Sequence, residues 1–173
     1  MNSALTIVNS TERDIEEIFN IYEEGTTYQK KVATKHWKGF QRSLIQTEIS
    51  EHRQWKILVN GKTACVFVIT FSDPCIWQER SNDPSIYIHR IATHPAYRGN
   101  GFVKHIVSWA KSFAIENKKS FIRMDTGSGN DKLNRYYIDC GFTYLGVQEY
   151  LITDGLPEHY KDGSSSLFEI KII

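Results

Sequence analysis

Six consecutive residues, Arg98-Gly99-Asn100-Gly101-Phe102-Val103, carry the strongest chemical signal in this chain. They lie between a run rich in β-branched residues, Ile86 to Thr93, and a helical pattern that opens at Phe102. A strand feeding a glycine turn that opens into a helix suits an anion. The first turn of a helix leaves backbone N–H groups without partners, and the helix dipole adds partial positive charge there. Glycine lets that backbone approach a phosphate with no Cβ in the way. Asn-Gly is also a hairpin signal, but a hairpin needs a second strand. Here Phe102, Val103, Ile106, Val107, Ala110, Phe113 and Ala114 recur at helical spacing instead. The turn is read as a phosphate loop.

The elements that must hold this turn follow from periodicity. Leu5 to Val8 reads as an opening strand. Ser10 or Thr11 then caps a helix carrying Ile15, Ile18, Phe19 and Tyr22, which Gly25 is expected to end. A second helical pattern runs from about Trp37 to Ile49. Trp55 to Val59, Asn60-Gly61 and Thr63 to Phe71 make a β-hairpin, and Ser72 to Pro84 reads as a loop. A strand at 86–93, the turn, a helix to about Asn117 and a strand at 120–125 form one βαβ crossover, so the two strands are expected to be parallel neighbours. A short helix spans about 130–140, with Leu133, Tyr136, Tyr137 and Cys140 assigned to one face. Gly141 stands where a left-handed cap residue belongs. Two strands close the chain, near 142–152 and 166–172. The expected class is α/β (α+β), a mixed, mostly antiparallel sheet of about seven strands with helices on both faces.

Composition bounds the rest. A chain of 173 residues reads as a single domain, 1–173, large enough for a substantial core. The formal net charge of +1 is spread along the chain, which gives no footprint for nucleic acid. The first residues have no basic segment followed by an apolar one, and no stretch is long and apolar enough for a bilayer. Cys65, Cys75 and Cys140 lack metal-ligand spacing, so no metal is expected and the thiols read as free in a cytoplasmic protein.

Three pieces together resemble the GNAT superfamily of N-acetyltransferases. Thr93-His94-Pro95-Ala96-Tyr97-Arg98-Gly99-Asn100-Gly101 fits that family's strand, His-Pro and R-x-x-G-x-G/A signature. Asn130 to Phe142 fits its N-x-x-[AL]-x-x-[FY]-Y-x-x-x-G-F signature at full spacing, and the element order matches over essentially the whole chain. One position departs: Val103 stands where the family usually has Gly or Ala. The resemblance implies that Arg98, Gly99, Gly101 and Val103 hold the pyrophosphate of acetyl-coenzyme A, with Lys104 adding charge. It also implies that pantetheine pairs with the backbones of Ile91 and Thr93 where the parallel strands splay. Asn130 would contact pantetheine, or simply cap its helix.

Acetyl transfer to an amine by direct attack, through a tetrahedral intermediate, needs a neutral amine, a stabilised oxyanion and a protonated leaving thiolate. Tyr137 matches the family tyrosine that protonates the thiolate; its packing role is assigned instead to Tyr136. His89 is two residues before Ile91, so strand alternation puts the two on one face, and an imidazole suits a base working directly or through water. His89 also falls where arylalkylamine N-acetyltransferases carry a catalytic histidine, and core packing is its alternative role. Arg90, charged within a buried strand, is expected to pair with Asp125.

Candidate acceptor-binding residues are Tyr28, His36, Trp37, Trp77, Tyr150 and Tyr160, all of which have packing as the competing role. The acceptor would be a small-molecule amine or a protein amine. The alternative to an enzyme is a non-catalytic acyl-coenzyme A sensor or interaction module on the same fold, which Val103 favours. Dimerisation is common in the family, so a homodimer is a further expectation.

Overall fold

The computed structural model describes residues 4–150 and 163–172. In chain order these form β1 (Leu5–Asn9), α1 (Ile15–Val32), α2 (Arg42–Ser50), β2 (Gln54–Val59), β3 (Lys62–Thr70), α3 (Pro74–Trp77), β4 (Ser85–Thr93), α4 (Phe102–Glu116), β5 (Phe121–Gly127), α5 (Asp131–Asp139), β6 (Thr143–Glu149) and β7 (Ser164–Lys171). The seven strands run in the order β1-β2-β3-β4-β5-β7-β6. β4 and β5 are parallel, paired from Ser85–Phe121 to Ile88–Met124. The pairs β1–β2, β2–β3, β5–β7 and β6–β7 are antiparallel. The mixed, mostly antiparallel sheet with one βαβ crossover is the architecture the periodicity predicts. Among the described residues, no helix is long and apolar enough to cross a membrane.

The chain forms two compact units, one of Met1–Ile69 with Arg90–Phe102 and one of Thr70–His89 with Val103–Ile173. β4 contributes to both, and the change falls at Arg90, whose φ of 49° breaks the extended backbone.

In the first unit, α1 buries Ile15, Ile18, Ile21 and Tyr22 with Ile45, Ile49, Val66 and Ala92. Thr11 caps the entry to α1 through a reciprocal pair with Asp14, whose Oδ2 accepts from the Thr11 N–H at 2.7 Å. Gly25 does not end α1, which continues to Val32. A glycine inside a helix costs only about 1 kcal/mol against alanine, and here it makes room: a Cβ on Gly25 would lie 3.1 Å from the Trp37 ring. The second helix starts at Arg42, not near Trp37. Gly39, at a φ of 99°, breaks the helical path, and Trp37 and Phe40 pack as irregular chain on Tyr22.

In the second unit, the expected loop at 72–84 contains α3, a four-residue turn capped by Asp73, whose Oδ1 accepts from the Ile76 N–H at 3.4 Å. Asp followed by Pro is a helix-start pattern that the reading of this segment as a loop passed over. Ile76 and Trp77 of α3 pack with Tyr87 and Leu167. α5 ends as its sequence predicts: Gly141 sits at a φ of 107°, the Gly141 N–H donates to the Ile138 carbonyl and the Phe142 N–H to the Tyr137 carbonyl.

Candidate active site

The glycine turn lies in the first unit. Gly99 and Gly101 have φ of 84° and 66°, the left-handed region that glycine enters without a Cβ penalty. Among the described residues, no heavy atom lies within 4 Å of where a Cβ would stand on either one, so both open onto free space. The approach to the turn is pinned at several points. The His94 N–H donates to the Ala64 carbonyl at 2.8 Å, His94 Nδ1 accepts from the Ala96 N–H at 3.2 Å, and Asn100 Nδ2 donates to the Tyr97 carbonyl at 2.7 Å. Arg98 reaches back to α1, donating to the Glu24 carbonyl at 3.2 Å with its guanidinium 4.5 Å over the Tyr28 ring.

The turn opens into α4 at Phe102, and the Val103 side chain is buried at 6% exposure. A buried valine presents only its N–H to an anion at the helix start, while Lys104 is exposed in the same turn. Ile91 and Thr93 follow the end of the β4–β5 ladder and are half-buried. The Thr93 hydroxyl donates to Cys65 Sγ at 3.7 Å, and burial pushes the Cys65 thiol up to about 12, so it is a neutral, inert packing group.

The second unit holds the titratable groups. His89 Nε2 lies 3.1 Å from the Thr70 hydroxyl and 3.8 Å from Asp73 Oδ2. Asp125 completes the group: one ligand atom from each of Asp73, His89 and Asp125 lies within 4.8 Å of the others. Ser165 donates to Asp125 Oδ2 at 2.8 Å and also meets the Tyr150 hydroxyl. Burial lifts Asp73 to about 6. Burial, and then the charge on Asp73, lift Asp125 to about 7. Burial likewise raises Tyr150. The sequence identified His89 but not Asp73, Thr70 or Ser165, which come from separate segments and share no spacing signal.

Tyr137 is 8% exposed, its ring 5.3 Å from Phe168 and 6.2 Å from Phe142, while Tyr136 is 40% exposed. The packing role expected of Tyr136 therefore belongs to Tyr137, because the buried face of α5 runs through Asn134 and Tyr137. Asn130 caps α5, accepting from the Leu133 N–H at 3.1 Å.

The sequence profile of the Acetyltransferase (GNAT) family matches residues 15–142. The chain belongs to the GNAT acetyltransferase family. It also aligns with YesJ of Bacillus subtilis (strain 168), an uncharacterized N-acetyltransferase, at 28% identity over 75 residues, 43% of this chain and 42% of that protein. The chain thus matches less than half the length of that relative. The fold is similar to a GNAT family acetyltransferase from Listeria monocytogenes 4b F2365, with a TM-score of 0.77 and 21% identity over 99% of both chains. It is similar too to yncA of Salmonella typhimurium, solved with its cofactor acetyl-CoA, at a TM-score of 0.69 and 14% identity over 98% and 95% of the chains. Aminoglycoside acetyltransferase AAC(6')-Ib, solved with coenzyme A and kanamycin, gives a TM-score of 0.71 at 14% identity over 97% and 95%. At these identities the likeness is one of fold.

Two expectations for this GNAT chain are corrected by its geometry. Arg90 does not pair with Asp125. Its left-handed backbone interrupts strand alternation, and its guanidinium pairs with Glu48 and lies 4.9 Å over the Phe40 ring. The same break means that alternation does not place His89 and Ile91 on one face. Among the described residues, the largest fully buried charged side chain is Arg123 of β5, which donates to Asp83 at 2.6 Å and Glu169 at 2.8 Å.

Trp77 is 2% exposed, with Tyr87 and the Arg123 guanidinium against it, so it packs in the core and presents no face to an acceptor. Trp37 and His36 are half-buried, and the His36 ring bonds the Trp37 carbonyl. Tyr28 is 47% exposed and carries Arg98. Tyr160 lies outside the described residues.

Proposed function

We propose that this protein is an acetyl-CoA-dependent N-acetyltransferase that acts on a primary amine. The observation that carries the reading is the turn itself: two left-handed glycines, open to space, lead into the start of α4 in a chain of the GNAT family. The fit is good on physical grounds. The N–H groups around Gly99, Gly101 and Val103 and the helix dipole suit a pyrophosphate, with Lys104 exposed beside them. The backbone of Ile91 and Thr93 offers hydrogen bonds to an extended amide chain, as a strand edge does. Asn130 is read primarily as the α5 cap. Acetyl-CoA would supply an activated acetyl thioester.

The residues then divide the proton work. An aliphatic ammonium has a pKa near 10.4 and must lose a proton before it can attack. His89 takes that proton and later releases it to water. A backbone N–H of Ile91 or Thr93 donates to the carbonyl oxygen as negative charge develops on it. Tyr137 gives its hydroxyl proton to the departing sulfur as the carbon–sulfur bond breaks, and regains one from the new amide nitrogen. The aromatic contacts of Tyr137 fix its ring, which supports a positioned acid.

The acceptor class is wider than one compound. The aminoglycoside complex among the structural neighbours makes a small-molecule amine the first class to screen, with protein amines second. The sensor alternative loses its support, because a buried Val103 does not crowd the turn.

The test is thermal. A ligand at about a hundred times its Kd stabilises by about 2.7 kcal/mol, and each kcal/mol raises Tm by about 2–4 °C at this size. Saturating acetyl-CoA is expected to raise Tm clearly, and amines are then screened by thiol release. No shift would remove acetyl-CoA as the ligand.

A further inference from the structure

His89 stands beside two carboxyls that no part of the proposed mechanism uses. Asp73 reaches it from the cap of α3 and Asp125 from β5, both within the second unit. The Asp73 and His89 side chains are only 11% and 17% exposed. Each carboxyl has one oxygen occupied and one left over. Asp73 Oδ1 accepts from the Ile76 N–H and Asp125 Oδ2 from the Ser165 hydroxyl. Among the described residues, Asp73 Oδ2 and Asp125 Oδ1 are buried with no hydrogen-bond partner. A buried acceptor left unmatched is costly, and two carboxylates at this separation cannot both ionise cheaply. A proton on one of them relieves the repulsion and gives the pair a donor.

We propose that Asp73 and Asp125 are positioning residues that share one proton and hold His89, so that the proton acceptor of acetyl transfer is this three-residue unit rather than the imidazole alone. The inference rests on the reading of His89 as the base. The proton balance is simple. The ammonium nitrogen loses one proton, His89 gains it, and the single negative charge of the carboxyl pair offsets the imidazolium until that proton passes to water. Hydroxyls also meet the unit: Thr70 on His89, Ser165 on Asp125, and Tyr150 on Ser165. The raised carboxyls agree with this arrangement, since burial lifts both and the charge on Asp73 lifts Asp125 further. An ordinary pair of solvated aspartates would both be ionised well below neutrality and could share nothing.

The experiment is an NMR titration of the His89 ring in the full chain, compared with Asp125→Asn, Asp73→Asn and the double variant. Asparagine keeps the shape, and at position 73 it still caps α3. With one proton between the pair, a single variant leaves the other carboxyl ionised, so each is expected to hold the His89 midpoint near the wild-type value. The double variant removes the negative charge and lowers that midpoint by about half a pH unit or more. The acidic limb of the kcat/KM profile moves the same way. A His89 midpoint unmoved in the double variant, or lowered in a single variant as far as in the double, would overturn the proposal. Manganese is the second probe. A His89 signal erased by one equivalent of Mn²⁺ in the wild type but kept in the variants would also overturn it, making the three residues a metal site. The titration needs no substrate: shifted midpoints in a chain without transferase activity would sink the acetyl-transfer reading and leave the proton-sharing unit standing.

Discussion

The glycine turn and the Asp73–His89–Asp125 group are two solutions to the same problem, the placing of charge, built from opposite materials. The turn uses backbone. Gly99 and Gly101 are two residues apart, both left-handed, and they lead into the N–H groups that open α4. Its chemistry is contiguous in sequence and depends on no side chain beyond the absence of two. The proton-handling group uses side chains from three separate segments, with Thr70 and Ser165 added from β3 and β7. It exists only after the second unit has folded. The turn should therefore fail by losing affinity, and the side-chain group by losing its pH response.

The largest effect separates these modes at once. His89→Ala is expected to cut kcat by about 10²–10⁴, the usual contribution of a general base. The acetyl-CoA thermal shift should stay as in the wild type. Steady-state rates from pH 5 to 9 check it, and an unchanged acidic limb would rule His89 out as the base.

The reciprocal variant is Gly101→Val. A β-branched residue is an outlier at a φ of 66° and would fill the open space beside the turn. Hydrogen bonds to a charged group are worth about 1.5–3 kcal/mol each, so disturbing one or two raises Kd for acetyl-CoA about 100-fold. Isothermal titration measures that, and the His89 NMR midpoint in the same variant should not move.

How much of each region was legible in the sequence follows from the same contrast. Gly99, Gly101, the α4 stripe and the Gly141 cap are local rules of conformation, and all four stand where periodicity and turn chemistry place them. The parallel pairing of β4 with β5 follows as well, since a strand, a helix and a strand in succession leave few topologies. Arg90 shows where such reading stops. Alternation along β4 assumes an unbroken strand, and the left-handed residue that breaks it is an arginine, which carries no signal for that backbone. Its partner Glu48 comes from α2, and Asp125, the partner expected, takes Ser165 instead. Tyr136 and Tyr137 were separable only by which neighbour of the helical stripe turns inward. Trp77 could have lined a pocket or a core on composition alone, and Tyr87 with Arg123 decided it.

A smaller effect sharpens the side-chain half of the contrast. Both carboxyls are raised in the folded chain, Asp73 to about 6 and Asp125 to about 7, so the folded state holds protons that the unfolded chain has already lost above about pH 4. Their contribution to stability is full below that pH and is lost as pH rises through 6 and 7. Asp125→Asn removes one of these groups and should flatten the decline by about 1–2 kcal/mol between pH 4 and 8. Urea unfolding across that range checks it. A wild-type curve no steeper than the variant's would show that Asp125 ionises normally.

The smallest effect asks whether every glycine of the first unit is there for conformation. Gly25 sits inside α1, where alanine would gain about 0.8–1 kcal/mol of helix propensity. Against that gain stands the Trp37 ring, 3.1 Å from where the new Cβ would be. Trp37 has little freedom to retreat: its ring meets Tyr22 at 5.7 Å and Phe40 at 5.6 Å, and its N–H donates to Gln29 Oε1 at 2.8 Å. Crowding should slightly outweigh propensity, so Gly25→Ala is expected to lower stability by less than about 1 kcal/mol. In a Trp37→Leu background the same substitution should turn stabilising, because the obstacle is gone and the propensity gain remains. A Tm rise already in the wild-type background would mean that the aromatic cluster yields, and that Gly25 answers to neither its neighbour nor its backbone.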